Sequence, residues 1–183
     1  MTLKLLYWDD SWLRKKADEV VEINDEVRAF AKEFLEKFEK PDMFSPGSIP
    51  IGLAATQVGS AYRIFAVCPH QIVDKKDSYG PPKLFINPIL SEPSNDLLVA
   101  DEGCLSFPGL YLPVVRPESI TVEWQDVDGK KFKERISGYY ARQIMHENDH
   151  LNGVLFIDRV SKSIRKRIKN DLDLLKKQCQ EKS

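Results

Sequence analysis

The sequence predicts an α+β fold: mostly antiparallel β-sheets packed around a central helix, with one helix near the N-terminus and another at the C-terminus. Three observations predict it. Runs of strand length recur between residues 62 and 136, three segments show helical periodicity, and no repeat or compositional break divides the 183 residues. A chain of this length is expected to form one domain, residues 1–183, and to bury enough surface to fold without disulfide or metal staples.

Residues 24–38 (NDEVRAFAKEFLEKF) read as the first helix. Asn24 is its N-cap, Asp25 and Glu26 suit the positive end of the helix dipole, and Val27, Phe30, Ala31, Phe34, Leu35 and Phe38 form one apolar stripe. Such a stripe is core rather than a ligand groove. KPDMFSPGSIP (40–50), with three prolines and a glycine, is a loop. Strands follow at 62–68, 83–89, 110–115 and 119–127, and Asp128-Gly129 signals a two-residue hairpin into a strand at 131–136. From Gly138 the period changes, and YYARQIMHENDHLNG (139–153) reads as a helix ending at Gly153. A last helix, from about 163 to 179, carries Ile164, Ile168, Leu172, Leu175 and Cys179 at spacings of three and four.

Composition narrows the class of function. With 42% hydrophobic and 30% charged residues the chain is neither disordered nor fibrous. Lys+Arg 27 against Asp+Glu 28 leaves a net charge of −1, so no global positive field draws nucleic acid, and DNA is excluded as a partner. No apolar run approaches the roughly 20 residues of a membrane-spanning helix. The first apolar stretch is followed at once by Asp9 and Asp10, unlike a secretory signal or an acid-poor transit peptide. A cytoplasmic location is expected. Three cysteines (68, 104, 179) without a secretion signal argue against a disulfide framework.

Two of the three histidines stand four apart in His146-Glu147-Asn148-Asp149-His150, an H-E-x-x-H pattern inside a predicted helix. That spacing puts both imidazoles on one helical face, where they can chelate one ion, and Glu147 projects beside them, where it can take a proton from a metal-bound water. The ordinary alternative is a charged helix face on which two histidines coincide. A catalytic divalent cation takes three protein ligands and keeps one position open. Downstream, Asp158 and Glu181 are available but no further histidine follows; upstream, Glu102-Gly103-Cys104-Leu105-Ser106 offers a cysteine just before a strand, which would complete a Cys-His-His site.

EGCLS at 102–106 and HENDH at 146–150, after IGLAATQ at 51–57, resemble in order and spacing the three signature motifs of the peptide deformylases, and the likeness runs over essentially the whole chain. The resemblance implies that Cys104, His146 and His150 bind the metal, that Glu147 is the general base, and that Gln57 and the Leu105 N–H hold the developing oxyanion. It implies one divalent cation per chain, Fe²⁺ natively, with Zn²⁺, Ni²⁺ or Co²⁺ able to occupy the site. It implies removal of the formyl group from the N-terminal formyl-methionine of nascent peptides. Gly52 and Gly103 would let the backbone approach substrate, which could pair as an added strand near Ile51 and Gly103. Cysteine is then a ligand and not a nucleophile, because a Cys–His pair leaves the chelating spacing of both histidines unexplained.

The sequence departs from the family pattern at Pro50, where a glycine is usual, at Met145, where glutamine is common, and at Arg142 and Gln143, on a helix whose apolar residues often line the methionine pocket. Either these two side chains tilt away from the pocket or side-chain preference is altered. The loop before Pro50 is also longer than usual. Cys68 is expected in the core, His70 in a solvated loop after Pro69, and Arg116 is a candidate buried partner for a carboxylate. Lys162, Arg165, Lys166, Arg167 and Lys169 make the start of the last helix basic; a solvated face is the default reading, and the family resemblance adds docking on the ribosome. An endopeptidase and a non-catalytic binding protein are the competing readings. The missing downstream ligand and EGCLS count against the first, and retention of Glu147 against the second.

Overall fold

The computed structural model describes residues 3–39, 50–73 and 76–180. The predicted loop at 40–50 lies, apart from Pro50, outside the described residues, as does the side chain of Cys179. The first helix, α1, spans Asp25–Phe38, and the Asn24 side chain accepts from the Val27 N–H at 3.0 Å, the expected cap. Val27, Ala31, Phe34 and Phe38 are buried, so the apolar stripe is core.

Five strands form one antiparallel sheet in the order β1 (Gly52–Ala54), β2 (Ile64–Val67), β5 (Lys83–Ser91), β8 (Ser119–Gln125) and β9 (Lys131–Ser137). Two ribbons stand apart from it: β3 (His70–Val73) with β4 (Lys76–Tyr79), and β6 (Leu97–Cys104) with β7 (Phe107–Pro117). The turn between β8 and β9 is wider than the expected two-residue hairpin. Asp126 and Lys130 pair across it at 3.1 Å, Gly129 takes φ 78°, and the Asp126 carboxylate accepts from the N–H groups of Asp128 and Lys130. A three-residue loop with glycine in the left-handed region suits the strand twist here, and Asp126 supplies the acceptor that closes it.

Helix α2 (Gly138–Leu151) lies between the five-stranded sheet and the β6–β7 ribbon. Toward the sheet, Ala141, Ile144, Met145 and Leu151 pack with Phe65, Val67, Phe85, Val122 and Trp124. Met145, one of the family departures, is thus a core residue. The helix ends on Gly153 at φ 69°, with Gly153 N–H bonded to the His150 carbonyl and Val154 N–H to the Asp149 carbonyl. A Cβ on Gly153 would sit 2.4 Å from the Arg14 carbonyl oxygen, so the first segment of the chain closes over this helix end.

The terminal helix is two helices, α3 (Lys162–Arg167) and α4 (Lys169–Gln180), broken at Ile168. Ile168 leaves helical geometry with ψ 1°, and the bend lets Ile168 and Leu175 both reach the core of Phe107, Leu112, Val114 and Phe156. No helix among the described residues is long and apolar enough to cross a membrane.

Candidate metal centre

The site is built where α2 meets the end of β6. Nearly every residue of α2 from Ala141 to Leu151 is buried, so its polar side chains must find partners inside the protein. Spacing of four brings the His146 and His150 rings to 5.1 Å between centroids. Cys104 lies at the last position of β6, rather than just before a strand as the sequence suggested, and its Sγ is 3.3 Å from His150 Nε2. The ligand atoms of Cys104, His146 and His150 all lie within 4.8 Å of one another. Asp158, the downstream alternative, instead pairs with Arg14 and Arg165. Glu181 lies outside the described residues.

Glu102, two residues before Cys104 and on the inner face of the ribbon, ties these elements together. Arg116 on β7 grips it with Nε at 2.6 Å and Nη2 at 2.8 Å, Arg142 donates to it at 2.7 Å, and His146 Nδ1 lies 3.0 Å from its Oε2. Arg116 also donates to Asp149 at 2.9 Å, and Arg159 closes the network on Asp149 at 2.5 and 3.0 Å. The expected buried carboxylate partner of Arg116 is therefore two carboxylates. Arg142 resolves one family departure: its guanidinium turns into this network, donating also to the carbonyls of Val114 and Leu98. Burial opposes ionisation of Glu102, but hydrogen bonds from Arg116 and His146 outweigh it and hold the carboxyl far below the usual range.

With Nδ1 of His146 engaged by Glu102, its Nε2 is the nitrogen left to face Cys104 and His150. Burial lowers the basicity of His146, yet hydrogen bonding to Cys104 and Glu102 leaves it well above the ordinary value; burial and the neighbouring His146 drive His150 well below it. Burial also pushes the Glu147 carboxyl up to about 7, with His146 opposing and Glu102 adding to the shift. Glu147 Oε2 and His150 Nδ1 are buried without a hydrogen-bond partner among the described residues. Glu147 fits only because residue 52 is glycine: a Cβ there would lie 2.3 Å from Glu147 Oε1.

Gln57, buried in the 3-10 turn Ala55–Val58, accepts from the Ala54 N–H at 2.8 Å through Oε1. Its Nε2 is 3.1 Å from Ser106 Oγ and 3.4 Å from Cys104 Sγ, so the carboxamide is oriented at the sulfur. Leu105 occupies the tight reversal between Cys104 and Phe107. Gly103 opposes Tyr111, whose ring would lie 2.6 Å from a Cβ at 103. Ile51 is placed differently from expectation. Its carbonyl accepts from Cys68 N–H at 2.9 Å and Gln143 Nε2 at 3.4 Å, so it faces β2, and Gly52 begins the open edge strand. His70 is not in a solvated loop: it opens β3, half-buried, with its ring 5.5 Å from Tyr79 and 5.1 Å from Tyr139. Cys68 is buried, as expected, and burial raises its thiol pKa.

The donor set fits one divalent cation. One soft sulfur and two imidazoles converge, one histidine is backed by a carboxylate through its other nitrogen, and an unpartnered carboxyl stands beside them. Fold and site together define a candidate mononuclear metal-dependent hydrolase.

Residues 2–166 match the family model described as polypeptide deformylase. Among curated relatives, the peptide deformylase of Picosynechococcus sp. is 40% identical over 162 residues, 88% of this chain and 81% of the relative. That of Synechocystis sp. is 42% identical over 158 residues, 86% and 79%. The crystal structure of peptide deformylase from Ehrlichia chaffeensis superposes with a TM-score of 0.84 at 28% identity, covering 100% of this chain and 99% of that one. The chain belongs to the polypeptide deformylase family, a family of metal-dependent enzymes.

Sequence reasoning missed Glu102 as the partner of His146, and with it Asp149, Ser106 and Arg159. The signal available was that Glu102, Ser106 and Asp149 belong to the quoted motifs; Arg159 carried none. Replacing Glu102 with Gln removes the carboxylate behind His146. We expect affinity for a divalent cation to fall about 10–100-fold, measured by competition with a chromophoric chelator. Unchanged affinity would show that Glu102 serves packing alone.

Proposed function

We propose that Cys104, His146 and His150 hold one divalent cation, Fe²⁺ natively with Zn²⁺, Ni²⁺ or Co²⁺ as substitutes, and that residues 1–183 form one catalytic domain around it. The reaction is that of a peptide deformylase: removal of the formyl group from the N-terminal formyl-methionine of newly made polypeptides. The observation that carries this reading is the convergence of the three ligand atoms within 4.8 Å beside the buried Glu147 carboxyl.

When bound, the cation supplies a Lewis acid and makes water a competent nucleophile near neutral pH. Glu147 takes the proton of the attacking water as the water oxygen bonds to the formyl carbon. It then delivers that proton to the amide nitrogen as the C–N bond breaks, yielding formate and a free amino terminus. Burial makes Glu147 more basic than a solvated carboxylate, which suits it to accept that proton. Gln57 is oriented by its bond from Ala54, and its weak N–H···S contact can be exchanged for one to the developing oxyanion, joined by the Leu105 N–H. Gly52, on the open edge of β1, and Gly103, at the end of β6, offer backbone for an extended substrate; Ile51 supports that edge from behind, its carbonyl being occupied.

Wild-type enzyme loaded with metal is expected to release formate from formyl-Met-Ala-Ser while leaving acetyl-Met-Ala-Ser and internal peptide bonds intact. Glu147→Gln should keep one metal per chain and lose about 10²–10⁴ in kcat. Full turnover by that variant would remove Glu147 from the role of base.

We propose also that the enzyme acts in the cytoplasm and that the basic stretch over α3 and the first residue of α4, exposed at Lys162, Lys166, Arg167 and Lys169, with Arg165 engaged by Asp158 and the Ile157 carbonyl, docks on ribosomal RNA. Truncation is a poor test, because Ile168 and Leu175 belong to the core. Charge reversal of those four side chains to Glu is expected to abolish co-sedimentation with ribosomes without changing turnover of formyl-Met-Ala-Ser. Unaltered co-sedimentation would assign these charges to solvation alone.

A further inference from the structure

The β6–β7 ribbon carries an apolar face that the chemistry above does not use. Leu97, Val99, Asp101 and Gly103 alternate onto one face of β6, opposed in register by Pro117, Val115, Pro113 and Tyr111 of β7. The other face is core over most of its length, with Glu102, Leu112, Val114 and Arg116 buried, and Leu98 at the start of β6 is 46% exposed. On the outward face Leu97 is 61% exposed, Val99 65%, Val115 50% and Tyr111 69%. Single apolar residues on a surface need no explanation, but four in register on one ribbon make a patch of the kind that marks an interaction site. Among the described strands β6 pairs only with β7, so its other edge is open to a further strand. That edge ends at Gly103 and Cys104, at the candidate metal ligand itself.

We propose that this edge and face hold the downstream part of the substrate: an extended polypeptide segment with apolar side chains from about its fifth residue onward, added to β6 as a third strand of the ribbon. The inference rests on the deformylase reading. A peptide whose formyl carbon lies beside Cys104 can follow β6 only back toward Leu97, antiparallel to it. At about 3.3 Å per residue on both strands, formyl-Met-Ala-Ser ends near Asp101, and only the fifth to eighth residues come level with Val99 and Leu97. Backbone pairing along the open edge gives affinity independent of sequence. Selectivity comes from alternate peptide side chains that lie beside Val99 and Leu97 as cross-strand neighbours, removing apolar area from water on both sides.

The test compares formyl-Met-Ala-Ser-Ser-Leu-Val-Leu-Ser with the same peptide carrying Asn at its three apolar positions, each referred to formyl-Met-Ala-Ser. Wild-type enzyme is expected to favour the apolar peptide about tenfold in kcat/KM through a lower KM, and the double variant Leu97→Asn, Val99→Asn to reduce that preference to within twofold. No preference in the wild type, or a preference that survives in the variant, overturns the proposal. So does sedimentation showing a wild-type dimer that the double variant dissociates, since the face would then belong to a second copy. If formyl-Met-Ala-Ser itself is not hydrolysed, the deformylase reading fails first and takes this inference with it.

Discussion

One buried carboxylate holds the working part of this molecule together. Glu102 projects from the β6–β7 ribbon into the seam with α2, where Arg116, Arg142 and His146 all reach it within 3.0 Å. The three partners come from two separate elements, so the ribbon that carries Cys104 and the helix that carries both histidines are locked together at this side chain, with the Arg116–Asp149 pair and the Arg142 bonds to the Leu98 and Val114 carbonyls closing the same seam. Breaking one member of such a buried ionic set typically costs about 3–5 kcal/mol, because the charge left behind has no water to turn to. The same contact presents His146 to the site by its other nitrogen. Stability and ligand geometry are therefore one constraint, and a change that loosens the seam loosens the metal centre with it.

Seen from that constraint, the odd residues of α2 make sense. A helix buried along nearly its whole length is expected to be apolar, yet this one carries Arg142, Gln143, His146, Glu147, Asp149 and His150 in its buried stretch. Arg142 and Asp149 are consumed by the ionic network, and Gln143 donates to the Ile51 and Cys68 carbonyls, fastening the start of β1. Glu147 Oε2 and His150 Nδ1 are left without partners. Gln143 Oε1 is unpartnered too, and of these three atoms only the Glu147 oxygen is proposed to take part in the chemistry, since His150 turns its Nε2 toward Cys104.

Much of this was legible in the sequence, and the failures have physical causes. Helix α1 was readable to the residue because its cap, charge bias and apolar stripe agree, and the chelating pair of histidines follows from helical spacing alone. Cys104 was one candidate ligand from its motif context, and only the conjunction of three motifs singled it out over Asp158 and Glu181, since nothing local says which distant segment lands on a helix. β6 escaped notice because LLVADEGC is apolar on both faces at its start and polar or glycine at its end, so it shows neither alternation nor a continuous apolar run. The Glu102 contacts span 14, 40 and 44 residues, beyond any periodic signal. The break at Ile168 was hidden by a stripe that continues in phase across it.

The central claim is that a sulfur from the ribbon and two imidazoles from the helix meet on one cation. X-ray absorption spectroscopy at the metal edge of the zinc-loaded protein tests it most directly. The account predicts one sulfur at about 2.3 Å and two imidazole nitrogens at about 2.0–2.1 Å in a four-coordinate shell. A shell of oxygen and nitrogen alone, with no sulfur scatterer, would contradict it.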